Sequence, residues 1–202
     1  LKKEGYCIEA VQNRGYLLTQ EGEVYGQSEL ESRMDTRWAG HPVSFYDMLD
    51  STNLRAKLDA ENGASEGALV AADMQTAGRG RRGRAWSSPA GVHVDFTLIL
   101  KPEFEPARAS MVTLLMALAV AKGIRETCGA EALIKWPNDI VVNGKKVCGI
   151  LTEMSVEREF IQYVVIGVGI NVGMQEFVPE IAAAATCLQA ECGGPVSKTG
   201  LI

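Results

Sequence analysis

Histidine is almost missing from this 202-residue sequence, with only His41 and His93 present. Two imidazoles without a clustered set of thiols exclude the usual structural zinc sites. They also leave little for Ser-His-Asp chemistry, which would have to pair His93 with Asp95 or Asp73 and lacks a Gly-x-Ser-x-Gly elbow. Cysteine is scarce and odd in number, five in all, with no Cys-x-x-Cys pair. Cys7, Cys128 and Cys148 sit in apolar stretches and read as small hydrophobes; Cys187 and Cys192 are close enough in sequence to pair. No long apolar run is present. The longest, around Met111 to Val120, is too short to cross a bilayer, and mean hydropathy is +0.02. A charged start leading into an apolar segment and a small-residue cleavage site is also lacking. The expectation is therefore a reduced, cytoplasmic protein without a membrane segment. The opening Leu1 to Tyr6 reads as the end of a helix already under way, which predicts a fragment. Excess positive charge is lacking too. The net charge is −5, which argues against a surface that attracts nucleic acid as a whole. Against that background Arg79, Arg81, Arg82 and Arg84 stand out as a local cluster.

Polar–apolar alternation from Tyr6 to Leu18 around Asn13-Arg14-Gly15 predicts a β-hairpin. Residues 19–40 are polar and read as a linker, with one short helix at Ser28 to Met34. Val43 and Phe45 begin a strand, and Asp50-Ser51-Thr52-Asn53 supplies the oxygen side chains that cap a helix running to about Asn62. Ala68 to Met74 predicts another strand. Val92, Val94, Phe96, Leu98 and Leu100 alternate strictly, the strongest strand signal in the chain. Ser110 to Cys128 carries Leu114, Leu115, Leu118 and Ile124 at helical spacing and ends at Gly129, which predicts a buried central helix. Asn143-Gly144 centres a hairpin spanning Ile140 to Met154, Phe160 to Val168 reads as a strand, and Glu176 to Ala190 as a helix interruptible at Pro179. So many adjacent strands suit a mixed α/β domain better than a doubly wound parallel sheet.

Three segments carry chemistry. Gln75 to Trp86 interleaves Gly78, Gly80 and Gly83 with arginines. Glycine lets the backbone approach a ligand, and the guanidinium fork matches carboxylate and phosphate oxygens. The loop therefore reads as an anion clamp, ordered when its ligand arrives. It is neither a P-loop, since no Gly-Lys-Ser/Thr follows, nor a long polar Arg/Gly tail. Lys135-Trp136-Pro137-Asn138-Asp139, with Lys146 downstream, places an amide and a carboxylate at a strand exit, where packing and ligand contact are equally supported. Gly167-Val168-Gly169-Ile170-Asn171-Val172-Gly173 has the wrong spacing for a dinucleotide fingerprint and reads as close backbone packing around a ligand.

Five segments together resemble the biotin–protein ligases: Asp50 to Asn53, Gln75 with Gly78 to Arg84, Lys135 to Asp139, Lys145 to Leu151, and Gly167 to Asn171. Their order and spacing match the family from about residue 43 to 173. The resemblance implies an α+β catalytic domain, a mixed and largely antiparallel sheet packed with helices of the class II synthetase-like type, over residues 42–202. Residues 1–20 resemble the wing that ends a winged helix-turn-helix domain, residues 21–41 a linker, and the family's C-terminal β-barrel has no counterpart. The implied reaction joins biotin and MgATP into biotinyl-5′-AMP, then transfers biotin to a lysine of a biotin carboxyl carrier protein. A homodimer and, through upstream sequence, operator DNA are further implied partners, as in the repressor-type members. A lipoate–protein ligase and a biotin-sensing repressor with little ligase activity are the competing readings.

The same resemblance assigns roles. Ser51, Thr52, Asn53 and Gln75 would line the biotin head-group pocket with main-chain groups of Gly78, Arg79, Gly80 and Arg81, while Gly149 and Leu151 flank the valeryl chain. Lys146, Arg79 and Arg81 would face carboxylate and phosphate oxygens, with Lys146 the main electrostatic catalyst. Arg84, Trp86, Lys135, Asn138 and Asn171 would contact the nucleotide, Trp86 covering the ligand. Asp139 is a candidate for Mg²⁺ or for fixing the loop. One position departs from the family pattern: Asp95 stands where an aromatic residue is common. An acid beside a carboxylate ligand is unfavourable unless it is turned away or paired.

Overall fold

The computed structural model describes residues 6–19 and 24–202. The expected helix end before Tyr6 and residues 20–23 of the expected linker lie outside them. Strands β1 (Ile8–Val11) and β2 (Gly15–Leu18) form the predicted hairpin, turning at Asn13 and Gly15, both at positive φ. It stands apart from the main sheet, and Tyr16, Leu17 and Leu18 are exposed.

The main sheet has seven strands. β3 (Val43–Tyr46) pairs in parallel with β4 (Leu69–Ala72). The remaining pairings are antiparallel, through β5 (His93–Leu100), β9 (Phe160–Asn171), β8 (Lys145–Glu157), β7 (Asp139–Val142) and the edge strand β6 (Leu133–Lys135). The long β8–β9 hairpin turns at Arg158 and Glu159, both at positive φ, and this turn has no Gly or Asn to mark it in the sequence. β9 runs three residues past its expected end, so that the segment Gly167 to Asn171 lies within the strand.

Alternation on the central strands creates two different faces. Val94 and Phe96 of β5, Ile166 and Ile170 of β9, and Ile150 of β8 point into the larger core under α3 (Ala109–Cys128). Ile99, Val165 and Tyr163 point the other way, against Ala56 and Ala60 of α2 (Thr52–Glu61). The two helices thus sandwich the sheet, but α2 covers only part of its face. The uncovered remainder carries Asp95, Thr97, Gly149, Gly167 and Gly169, and this is where the site lies.

The helices adjust three expectations. α3 is not buried all round. Its core face is Val112, Ala117, Val120, Ala121 and Ile124, whereas Met111, Leu114, Leu115 and Leu118 are exposed. Small residues let the helix sit close on the sheet, so its largest side chains turn outward. By length and composition α3 would pass for a membrane span, yet it packs on β8, β7 and β6. Gly129 ends it at φ 72°, with its N–H bonded to Arg125 O, as expected of a left-handed C-cap. α1 (Gln27–Arg33) is packed rather than a loose connection: Leu30 is buried, and Gln27 bonds both the carbonyl of Val43 and the N–H of Phe45 on β3. The expected helix over Glu176 to Ala190 is two short ones, α4 (Pro179–Ala182) and α5 (Leu188–Cys192). Pro179 starts the first, where its missing N–H is harmless.

Candidate functional site

The uncovered part of the sheet is roofed by residues 75–88. Gln75 N bonds Ser88 O, Trp86 N bonds Gly78 O, and Gly80 N bonds Arg84 O, so the Gly/Arg segment folds as a tongue returning on itself. Its tip is a short 3₁₀ turn, Arg81–Gly83, with Arg82 at φ 57° and Gly83 at φ 73°. Gly78 is required by closeness: a Cβ there would overlap the carbonyl of Trp86.

Beneath this roof the structure gathers Ser51, Thr52, Asn53, Gln75, Arg79, Gly80, Arg81, Asn138, Lys146, Gly149 and Leu151 into one cavity, as the sequence implied. The start of α2 is fixed by polar contacts across the sheet. Thr52 N and Oγ1 both donate to Gln75 Oε1 (2.9 and 3.2 Å), and Thr97 Oγ1 donates to Asn53 Oδ1 at 2.8 Å. Asn53 Nδ2 donates to Glu153 Oε2 at 3.0 Å. A Cβ at Gly167 would overlap Asn53 Oδ1, so glycine there makes room for this amide.

The cations meet from two sides. Arg79 comes from the tongue, 3.7 Å from Glu153, and Lys146 comes from β8, with Nζ 2.7 Å from Asp139 Oδ1 and 5.6 Å from the Trp86 ring centroid. Arg81 donates to Asn138 Oδ1 at 2.8 Å, and Asn138 Nδ2 to Ile150 O at 2.9 Å, closing the tongue onto the strand exit. Burial pushes the Glu153 carboxyl up, but hydrogen bonds from Lys57 and Asn53 and the charges of Lys57 and Arg79 outweigh it and hold the group below its ordinary value. Glu153 was not singled out in the sequence. Its signal is strand alternation, which puts it on one face with Gly149 and Leu151.

Some implied residues lie elsewhere. Lys135 is exposed on edge strand β6, and Arg84 and Gly78 form the tongue without lining the cavity. Asn171 is buried and donates to Thr186 O at 3.0 Å, tying β9 to the segment before α5. Trp86 does not lie over the cavity as a cover; it is inside it, packed on Gly149 and Gly169. Asp139 is taken up by Lys146, and among the described residues no three His, Cys, Asp or Glu side chains cluster as metal ligands. All five cysteines are free, Cys187 and Cys192 included.

Asp95 is neither turned away nor unpaired. It is fully buried, accepts from the Trp86 indole N–H at 2.9 Å and from Ser88 Oγ at 2.5 Å, and is also bonded by the Gln75 side chain. Burial dominates and lifts its carboxyl to about 7 in spite of these donors. His93, edge-on to Trp86 at 5.9 Å, is held below its ordinary value by burial, against a hydrogen bond to Gln175.

Known proteins resemble this chain in sequence and fold. The profile of the Biotin/lipoate A/B protein ligase family matches residues 45–171. The bifunctional ligase/repressor BirA of Bacillus subtilis is 44% identical over the whole chain, which covers 63% of that protein. A biotin–[acetyl-CoA-carboxylase] ligase of Paracoccus denitrificans is 40% identical over 73% of the chain and 62% of its own length. The biotin protein ligase of Aquifex aeolicus, solved in complex with biotin and ATP, superposes with a TM-score of 0.68 at 33% identity, over 80% of this chain and 65% of that one. The chain thus spans under two thirds of the length of these relatives. The family match covers the cavity, its roof and both strands of its floor, and the chain belongs to the biotin/lipoate A/B protein ligase family.

Proposed function

We propose that the cavity activates biotin with ATP to biotinyl-5′-AMP and passes the acyl group to a lysine of a biotin carboxyl carrier protein. The observation that carries this is the convergence of Arg79, Arg81 and Lys146 on one cavity that also carries the uncharged polar side chains of Thr52, Asn53 and Gln75. Joining a carboxylate to an α-phosphate brings two anions together, so the site must supply cations and hold both groups in line. Lys146 suits the position where charge develops, because it approaches from rigid β8 rather than from the tongue. The relatives named for biotin ligation, and one solved with biotin and ATP, support biotin over lipoate as the acid.

Mg²⁺ would enter this site on the nucleotide phosphates, for which one protein carboxylate suffices, and Asp139 would supply it once Lys146, now paired with it, turns to the phosphates. Asn138 and Arg81, bonded to each other at the cavity, are the proposed contacts to the nucleotide. In the intact protein the exposed hairpin β1–β2 serves as the wing of a DNA-binding domain. A cytoplasmic setting, a homodimer and biotin-dependent operator binding complete the reading, and the relatives named ligase/repressor support its regulatory part.

The test is an adenylation assay on the full-length protein with biotin and lipoate in competition, followed by transfer to a carrier domain. Biotin-dependent pyrophosphate release and carrier labelling are expected. Preference for lipoate, or no activation of either acid, overturns the proposal.

A further inference from the structure

The cavity is filled from within. The Trp86 indole lies so close to the sheet that a Cβ on Gly169 would fall 2.5 Å from the ring and one on Gly149 3.2 Å from it. About 60 Å³ remains open. The indole occupies the glycine floor, so a fused bicyclic urea with an acid tail reaches that floor only where the ring has left it.

Displacing the indole has a chemical consequence. Asp95 is fully buried on β5, and its two oxygens are used differently. Oδ2 faces Ser88 Oγ (2.5 Å) and His93 Nδ1 (3.9 Å), whereas Oδ1 accepts the indole N–H at 2.9 Å. When the ring leaves, Oδ1 loses that donor and faces the vacated space. Ser88 and Gln75 remain bonded to the carboxyl, but a buried carboxylate that loses one of its donors is less well satisfied, so a ligand that brings an N–H of its own to Oδ1 is favoured over one that cannot.

We propose that Asp95 is a specificity-determining residue, which exchanges the Trp86 indole N–H for a ureido N–H of the incoming acid. The exchange conserves the hydrogen-bond count for a cyclic urea. It leaves a dithiolane ring, which has no N–H, facing an unmatched carboxylate, so the site rejects lipoyl-type acids by a deficit rather than by shape. This inference rests on the biotin reading above.

The test is a cycle of ligand against residue in the full-length protein. Affinities of biotin and of its two singly N-methylated ureido derivatives are measured by calorimetry on wild type and on Asp95→Ala. For one of the two nitrogens, methylation is expected to weaken binding to wild type between about tenfold and a hundredfold and binding to Asp95→Ala by less than about threefold. Equal losses in both proteins for both derivatives overturn the proposal while leaving biotin binding intact. Wild type that binds lipoate but not biotin overturns the proposed function as well. If Asp95→Ala fails to fold, wild type alone decides: binding indifferent to methylation at either nitrogen refutes the exchange.

Discussion

Asp95→Asn should change how stability depends on pH, and the structure gives the sign and the size. In the unfolded chain this carboxyl titrates near 3.8, and in the folded protein near 7. The folded state therefore keeps a proton that the unfolded state has released, so wild-type stability falls as pH rises from about 4 to about 7 and is level above that. The gap of about three pK units corresponds to roughly 4 kcal/mol when complete, with a local slope of at most about 1.4 kcal/mol per pH unit. Asparagine cannot titrate, yet its amide can accept from the Trp86 indole and donate to Ser88 Oγ, so the variant should fold. The shifts of His93 and Glu153 are present in both proteins and cancel when one curve is subtracted from the other. Urea denaturation of each protein at several values from about pH 4 to pH 8 makes the measurement. The Asn variant should gain on wild type by about 3–4 kcal/mol across that range, with most of the gain below pH 7. A difference that stays flat to within about 1 kcal/mol would show that Asp95 is solvated or already protonated throughout, and would refute the burial argument.

Other outcomes follow from the same geometry. Lys146→Ala should lower the adenylation rate by roughly 10²–10³ with a much smaller change in biotin affinity if its cation has the proposed role beside developing charge; a loss confined to affinity would reassign it to binding. Gly167→Ala forces Asn53 off its bonds to Thr97 and Glu153, and urea melts should show a loss of about 1–3 kcal/mol together with weaker biotin binding. Leu118→Lys on the outer face of α3 should change stability by less than about 0.5 kcal/mol, whereas Ile124→Ala on its inner face should cost about 2–5 kcal/mol; equal costs would mean that both faces are covered. Hydrogen exchange at Gly78 to Arg84 should slow when biotin and ATP bind, because displaced Trp86 and engaged arginines re-form the tongue over ligand, and unchanged exchange would contradict this.

Much of the site was legible because its parts are local. Gly78, Gly80 and Gly83 among arginines, the Ser51-Thr52-Asn53 helix start, and Lys146 one residue beyond a Gly-marked turn each declare themselves within a few residues. What remained hidden depends on pairings far apart in the chain. Glu153 matters because β8 places it beside Asn53 and Lys57, about a hundred positions away. Asn171 lies beside the glycines of β9 in sequence, but strand alternation and the return of residues 184–187 turn its amide to a structural bond. Trp86 was rightly tied to the loop, yet nothing local says that its ring enters the cavity. The inward face of α3 was misjudged because spacing alone weights leucine, whereas close helix–sheet contact favours alanine and valine.

Opposite one another on β8 and β9, Gly149 and Gly169 are register partners, and Gly167 pairs with Leu151. Three missing side chains leave a bare strip of backbone in the middle of a sheet, covered by the indole over Gly149 and Gly169, by the end of Lys146 over Gly149 and by the Asn53 amide over Gly167. Whatever lies on that strip completes the interior, so an acid bound there is also a removable piece of the hydrophobic core. Occupancy and folding then become one equilibrium, in which ligand raises the unfolding temperature in proportion to the logarithm of its concentration. A cell short of the acid would hold a population of these molecules that opens and is degraded more readily, so nutrient supply would set the lifetime of the protein as well as its output.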